Sequence, residues 1–177
     1  MNYKLILKAA KFSAQKHSRQ RKKDEFSSPY VNHTIAVSLV ISEIGGIKDP
    51  EVLAAALLHD TIENTETTAE ELEAEFGKQV SKYVIEVSDD KSLPKEERKR
   101  KQIENAKYLS KGATLIRLGD KISNAKDIIY DPPINWDKNR RREYLDWAVE
   151  VISNCPQVND ALENRFKMII KKGRDII

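Results

Sequence analysis

The sequence predicts an all-α bundle of about eight to ten helices. Three observations predict it. Apolar residues recur at helical spacing along most of the chain. Six glycines and six prolines in 177 residues are few enough to leave long helical runs unbroken. No segment shows the alternation of a strand with comparable strength; Tyr83 to Val87 comes nearest.

The first helix runs from Tyr3 to about His17. Residues 19–29 read as a polar, basic loop. Pro29 opens a second helix, with Ile35, Leu39, Val40 and Ile44 at helical spacing, and Gly45-Gly46 ends it. Pro50 sits in the first turn of a third helix, whose segment Val52 to Leu58 is apolar on every side and so belongs at the centre of the bundle. Thr68 with Glu71 forms a capping box for a fourth, which Gly77 stops. Lys78 to Val87 is a fifth, and Pro94 starts a highly charged sixth. Leu115, Leu118, Ile122, Ala125 and Ile129 mark a seventh, broken by Pro132-Pro133. Two closing helices follow, near Lys138 to Ile152 and Pro156 to Lys172.

The length fits one domain spanning 1–177. With 40% hydrophobic and 33% charged residues, the chain has a globular profile, neither disordered nor membranous. A single cysteine, Cys155, permits no internal disulfide and agrees with a reducing compartment. Lys4 and Lys8 interrupt the apolar start, so neither a signal peptide nor a membrane span is expected, and the predicted location is the cytoplasm. The net charge is only +3, but the charges are sorted into basic runs at 16–23, 95–101 and 138–142 and an acidic run at 63–75, a distribution that can steer an anionic ligand. No nucleic-acid-binding motif or interleaved aromatic platform accompanies the basic runs, so nucleic acid is not an expected partner.

The chemistry is announced by polar intrusions into apolar faces. The central helix runs directly into His59 and Asp60. Burying both costs several kcal/mol unless they are paired or bound to a metal. Asp120 interrupts the apolar run Leu115 to Ile122, and His33 lies one turn into the second helix beside Ile35 and Val37. Taken singly, each has a plain structural reading: a satisfied core histidine, a pairing of Asp120 with Lys121 or Arg117, a helix C-terminus that favours an imidazole. Taken together, two imidazoles and two carboxylates on three helices form a mixed N/O set suited to manganese, iron or zinc.

His33, then His59-Asp60, then a distant Asp120 resembles the ligand pattern of HD-domain phosphohydrolases. More narrowly, the chain resembles the small alarmone hydrolases of the RelA/SpoT homologue group, closest to the metazoan SpoT homologue type. Arg21 to Asp24, Pro29 to His33, Ala54 to Thr61, Glu86 to Lys91, Leu118 to Lys121 with Asn124, and Trp136 with Arg140 and Tyr144 carry the likeness across nearly the whole chain. The resemblance implies an HD-domain helical bundle that removes the 3′-pyrophosphate of ppGpp or pppGpp with manganese(II), Mn2+. Relatives of this type also act on NADPH, which keeps a different nucleotide substrate open.

By that likeness His33, His59, Asp60 and Asp120 are metal ligands and Glu63 activates the attacking water. Asn64 stands where the family pattern has Asp. An amide can orient a water but cannot accept its proton, so Asn64 raises three possibilities: Glu63 suffices at a lowered rate, Glu66 moves in as a substitute, or the protein binds its nucleotide and hydrolyses it poorly, with a non-catalytic nucleotide sensor as the competing reading. Arg21, Lys22 and Lys23 belong at the mouth of the site. Asn32, Asn124, Arg140 and Tyr144 are candidates for substrate contact, Lys91 and Lys111 weaker ones, and Trp136 lines the rim. Trp147 is expected in the core, and His17 is expected to point out of the first helix.

Overall fold

The apolar run over Pro50 to Leu58 folds as a helix with no solvent-facing side after its first turn: every residue from Val52 to Leu58 is buried. Asp49 starts it by accepting hydrogen bonds from the amides of Glu51 and Val52, with Pro50 beside the cap where its missing N–H costs nothing. The computed structural model describes residues 3–177. These hold ten helices and, outside them, one isolated bridge between Arg21 and Pro29. The helices are α1 (Tyr3–Lys16), α2 (Val31–Glu43), α3 (Pro50–Leu58), α4 (Thr61–Asn64), α5 (Ala69–Phe76), α6 (Lys78–Val87), α7 (Lys95–Ala106), α8 (Lys111–Tyr130), α9 (Lys138–Ser153) and α10 (Asp160–Ile176). The predicted all-α class holds, and among the described residues no helix is long and apolar enough to cross a membrane.

Two helix boundaries and one cap pairing depart from the sequence reading. The central helix does not run on past His59. Asp60 sits at φ −99°, ψ 0°, a bridge-region conformation that turns the chain and starts the one-turn helix α4. The last helix begins at Asp160 rather than Pro156, because the Asn159 side chain caps the amide of Leu162. Thr68 caps α5 as expected, but the carboxylate of Glu71 pairs with Lys16 of α1 at 2.9 Å. The stretch from Tyr83 to Val87 is helical, with Val80, Val84 and Val87 inward.

α8 is the spine, buried almost continuously from Gly112 to Ile129. α2 and α3 pack on each other and both on α8, while α1 and α6 cover α3, and α9 and α10 close the far side of α8. The α2–α8 crossing depends on Gly119. A Cβ there would lie 2.7 Å from Ile41 Cγ1 and 3.2 Å from the Val37 carbonyl oxygen. Gly119→Ala is therefore expected to destabilise the protein in urea denaturation. Overpacking at about 1–3 kcal/mol outweighs the roughly 1 kcal/mol that alanine gains in helix propensity. A variant as stable as the parent would mean that the two helices separate without cost.

Candidate metal centre

Packing α2, α3 and α8 together sets one residue of each helix facing the same point. His33 stands in the first turn of α2, His59 closes α3, Asp60 turns the chain into α4, and Asp120 projects from the middle of α8. Ligand atoms of His33, His59 and Asp60 all lie within 4.8 Å of one another. Asp120 Oδ1 is 3.3 Å from His33 Nε2 and 3.7 Å from His59 Nε2. Asp60 Oδ2 is 3.2 Å from His59 Nε2 and 3.9 Å from His33 Nε2.

The surroundings orient each group. His59 Nδ1 donates to the Ala56 carbonyl at 2.8 Å, which fixes the tautomer and leaves the Nε2 lone pair facing the cluster. That Nε2 is buried and, although Asp60 Oδ2 lies 3.2 Å away, it makes no hydrogen bond among the described residues. Asp60 Oδ2 accepts the Tyr30 hydroxyl. Asp120 Oδ1 accepts from Asn124 Nδ2 at 2.6 Å, and its Oδ2 faces Lys121 Nζ at 3.1 Å. Burial opposes charge throughout, yet the carboxylates prevail. Asp60 and Asp120 are held well below the usual carboxylate range, chiefly by His59 and by Lys121 respectively, and in turn they lift His59 well above the usual imidazole value. Carboxylates that attract a proton to His59 attract a cation to the same lone pair. An orphaned imidazole nitrogen within a two-nitrogen, two-carboxylate set therefore fits a divalent metal.

The cluster opens into a chamber of about 320 Å³ whose wall includes Glu63 and Asn64. Glu63 Oε2 accepts the Asp89 amide at 3.3 Å, and Oε1 lies 3.6 Å from Arg98 Nη1. Burial raises the Glu63 pKa, and the negative charges of Asp60 and Asp89 add to it. Asn64 Oδ1 accepts from Lys91 Nζ, while its backbone carbonyl takes Gln20 Nε2 at 2.6 Å.

Of the residues expected at the mouth, Arg21, Lys22, Lys23 and Trp136 line a second cavity of about 250 Å³. It shares Tyr30, His33, Asn124 and Tyr144 with the metal chamber. Lys22 Nζ is committed within the protein, 2.8 Å from Asp127 and 3.7 Å from the buried Asp24. Arg140 stacks over Trp136 at 4.5 Å along a wider groove that shares Tyr144 and Trp147 with the chamber.

Other expectations are not met by this arrangement. Asn32 is exposed and lines neither cavity: successive helical residues point about 100° apart, and His33 takes the inward direction. Lys111 is exposed at the start of α8, and Glu66 is 84% exposed beside Lys16, away from the chamber. Trp147 is not a core residue. It lies one turn after Tyr144, forms part of the chamber wall, and holds Lys121 Nζ 4.3 Å above its ring. His17 points inward rather than out. It is 2% exposed, with its ring 5.0 Å from that of Tyr30 and its Nδ1 donating to Gln20 at 2.8 Å. Tyr30, Lys121, Arg117 and Gln102 also line the chamber, beyond the site residues that the sequence predicts. Lys121 and Arg117 had a signal, since both are charges inside the apolar run that drew notice to Asp120.

A family model described as the HD domain matches residues 9–145. The guanosine-3′,5′-bis(diphosphate) 3′-pyrophosphohydrolase MESH1 of Mus musculus is 46% identical over 167 residues, covering 94% of this chain and 93% of that protein. Its counterpart of the same name from Xenopus tropicalis is 48% identical over 162 residues, covering 92% and 90%. A solved structure of a metazoan orthologue of SpoT that hydrolyses ppGpp and plays a role in starvation responses superposes with a TM-score of 0.93 at 43% identity. It covers 98% of this chain and 97% of that one.

Proposed function

Since this chain belongs to the HD-domain family, among its metazoan SpoT homologues, we propose that it is a metal-dependent guanosine-3′,5′-bis(diphosphate) 3′-pyrophosphohydrolase. It converts ppGpp or pppGpp to GDP or GTP and pyrophosphate. The observation that carries the reading is the convergence of His33, His59, Asp60 and Asp120, with the buried His59 Nε2 making no hydrogen bond among the described residues, beside a glutamate of raised pKa. We read residues 1–177 as one such domain, working in the cytoplasm on a free nucleotide.

In this reading the four residues would hold Mn2+, which would supply Lewis-acid activation of water and of the scissile phosphoryl group. Glu63 takes the proton of the attacking water, and Asn64 orients that water through its amide. The nucleotide lies across the 250 Å³ cavity, among Tyr144, Asn124 and Trp136, with Lys23 and Arg21 at its opening. Lys91 and Arg140 face the departing and remaining phosphates from the two rims. As the new P–O bond forms, the bond to the ribose 3′-oxygen breaks; that oxygen leaves as the 3′-hydroxyl of GDP or GTP, taking up the proton that Glu63 removed from the water, and the phosphoryl product is pyrophosphate.

The test is a panel of ppGpp, pppGpp and NADPH with manganese, products resolved by chromatography. GDP or GTP with pyrophosphate is the expected outcome. Faster phosphate release from NADPH would move the substrate to that dinucleotide, and binding without product would make the protein a sensor.

Asn64 favours a slowed enzyme, because the amide offers no second acceptor for the proton. Asn64→Asp is expected to raise kcat roughly tenfold, equivalent to about 1.4 kcal/mol off the barrier. Lys91 already stands against this side chain and would hold the new carboxylate in place. Steady-state rates with ppGpp and manganese check this. An unchanged or lower rate would remove Asn64 as the limiting group.

A further inference from the structure

Beside the metal chamber lies a smaller polar cavity, about 210 Å³, between the segment after α6, the inner face of α7 and Arg117 of α8. Gln102 and Arg117 line both spaces. Three side-chain atoms of its lining, Glu86 Oε1, Arg98 Nε and Gln102 Oε1, are buried without a protein partner. Three such atoms around one cavity are costly unless water meets them, and at roughly 30 Å³ per molecule the space takes several waters. The residues carrying two of these atoms also reach toward Glu63. Arg98 Nη1 lies 3.6 Å from Glu63 Oε1, and Gln102 Nε2 donates to Asp89 Oδ2 at 2.7 Å while the Asp89 amide donates to Glu63 Oε2 at 3.3 Å.

We propose that α7, backed by this hydrated cavity, is a positioning clamp for Glu63: Arg98 steadies one carboxylate oxygen and Gln102, through Asp89, steadies the other. The inference rests on Glu63 being the base. α7 contributes none of the four metal-facing side chains, and in the clamp its effect on hydrolysis passes through the orientation of that carboxylate. The charge on α7 that the sequence displays as a basic run is divided accordingly. Arg100 pairs with Glu104 on the exposed face, whereas Arg98 turns inward.

The test uses Arg98→Met, Arg98→Lys and Gln102→Leu, alone and combined with Glu63→Gln. Arg98→Met should lower kcat on ppGpp about tenfold while KM stays within about twofold, and manganese affinity measured by calorimetry should not change. Arg98→Lys should recover part of the loss. Gln102→Leu should lower kcat about threefold; its exchange keeps α7 helical and supplies the same readout if Arg98→Met fails to fold. In the Glu63→Gln background neither change should lower the residual rate further. A raised KM with kcat preserved overturns the clamp, because Arg98 would then be holding substrate. Full additivity on top of a crippled Glu63→Gln enzyme also overturns the clamp, alone. Undiminished activity of Glu63→Gln itself overturns the assignment of the base and the clamp with it.

Discussion

Asp120→Asn is expected to abolish hydrolysis while leaving the protein folded, and Asp120→Ala to abolish hydrolysis and destabilise it. Asp120 is the donor that α8 sends into the cluster, 3.3 and 3.7 Å from the two imidazole nitrogens. Without it three donors remain, and the loss of several kcal/mol of charge stabilisation corresponds to at least a thousandfold in rate. The two substitutions separate through Lys121, whose side chain is only 4% exposed and whose ammonium lies against Asp120 Oδ2. Alanine leaves that charge buried and unanswered, at a cost of roughly 3–5 kcal/mol. Asparagine keeps the shape and an oxygen for a neighbouring donor. Calorimetric titration with manganese, the ppGpp assay and thermal unfolding measure the three quantities. Chelating the parent protein should reproduce the inactive state, and added manganese should reverse it. An Asp120→Asn protein that still binds manganese at the same affinity and turns over ppGpp would remove Asp120 from the site.

Much of this arrangement was legible because the constraints were local. Val52 to Leu58 is apolar all round, so its helix had to be central, and His59-Asp60 at its end had to be buried with it. The same logic exposed Asp120. What remained hidden was whatever depends on the angle at which two helices meet. His17 and Trp147 lie at amphipathic helix edges, where a small rotation decides between solvent and interior. Only the packing of the loop before α2 on His17, and of α9 against α7 and α8, settles it. Lys22 shows the same limit in charge: its acidic partners Asp127 and Asp131 come from the end of α8, distant in sequence. A basic run therefore looked like a phosphate grip although one of its members is neutralised internally. Asn32 failed for the opposite reason, because adjacency to a ligand in a helix places a residue away from the ligand's face.

Glu63→Gln is the second large effect. It should lower kcat by a factor of about 100 to 10,000, the usual range for losing a general base, with little change in KM. The pH profile distinguishes this from a distortion of the site. A base works ionised, so the rate of the parent climbs as pH rises through the Glu63 pKa. Burial, Asp60 and Asp89 raise that pKa from its ordinary value, whereas the Asp89 amide and Lys91 pull against them. Asp89→Asn should accordingly shift the acid limb to lower pH, and Glu63→Gln should erase it. Stability runs the other way. An acid whose folded pKa is raised contributes stability that is present below its unfolded pKa and lost as pH rises through the folded one. At neutral pH the ionised Glu63 is thus a strain on the fold, and Glu63→Gln should unfold no more easily than the parent there. An active site that holds an uncomfortable carboxylate for its chemistry predicts this pairing of lost turnover with retained or improved stability. A variant that loses activity and stability together would instead mark Glu63 as a structural residue.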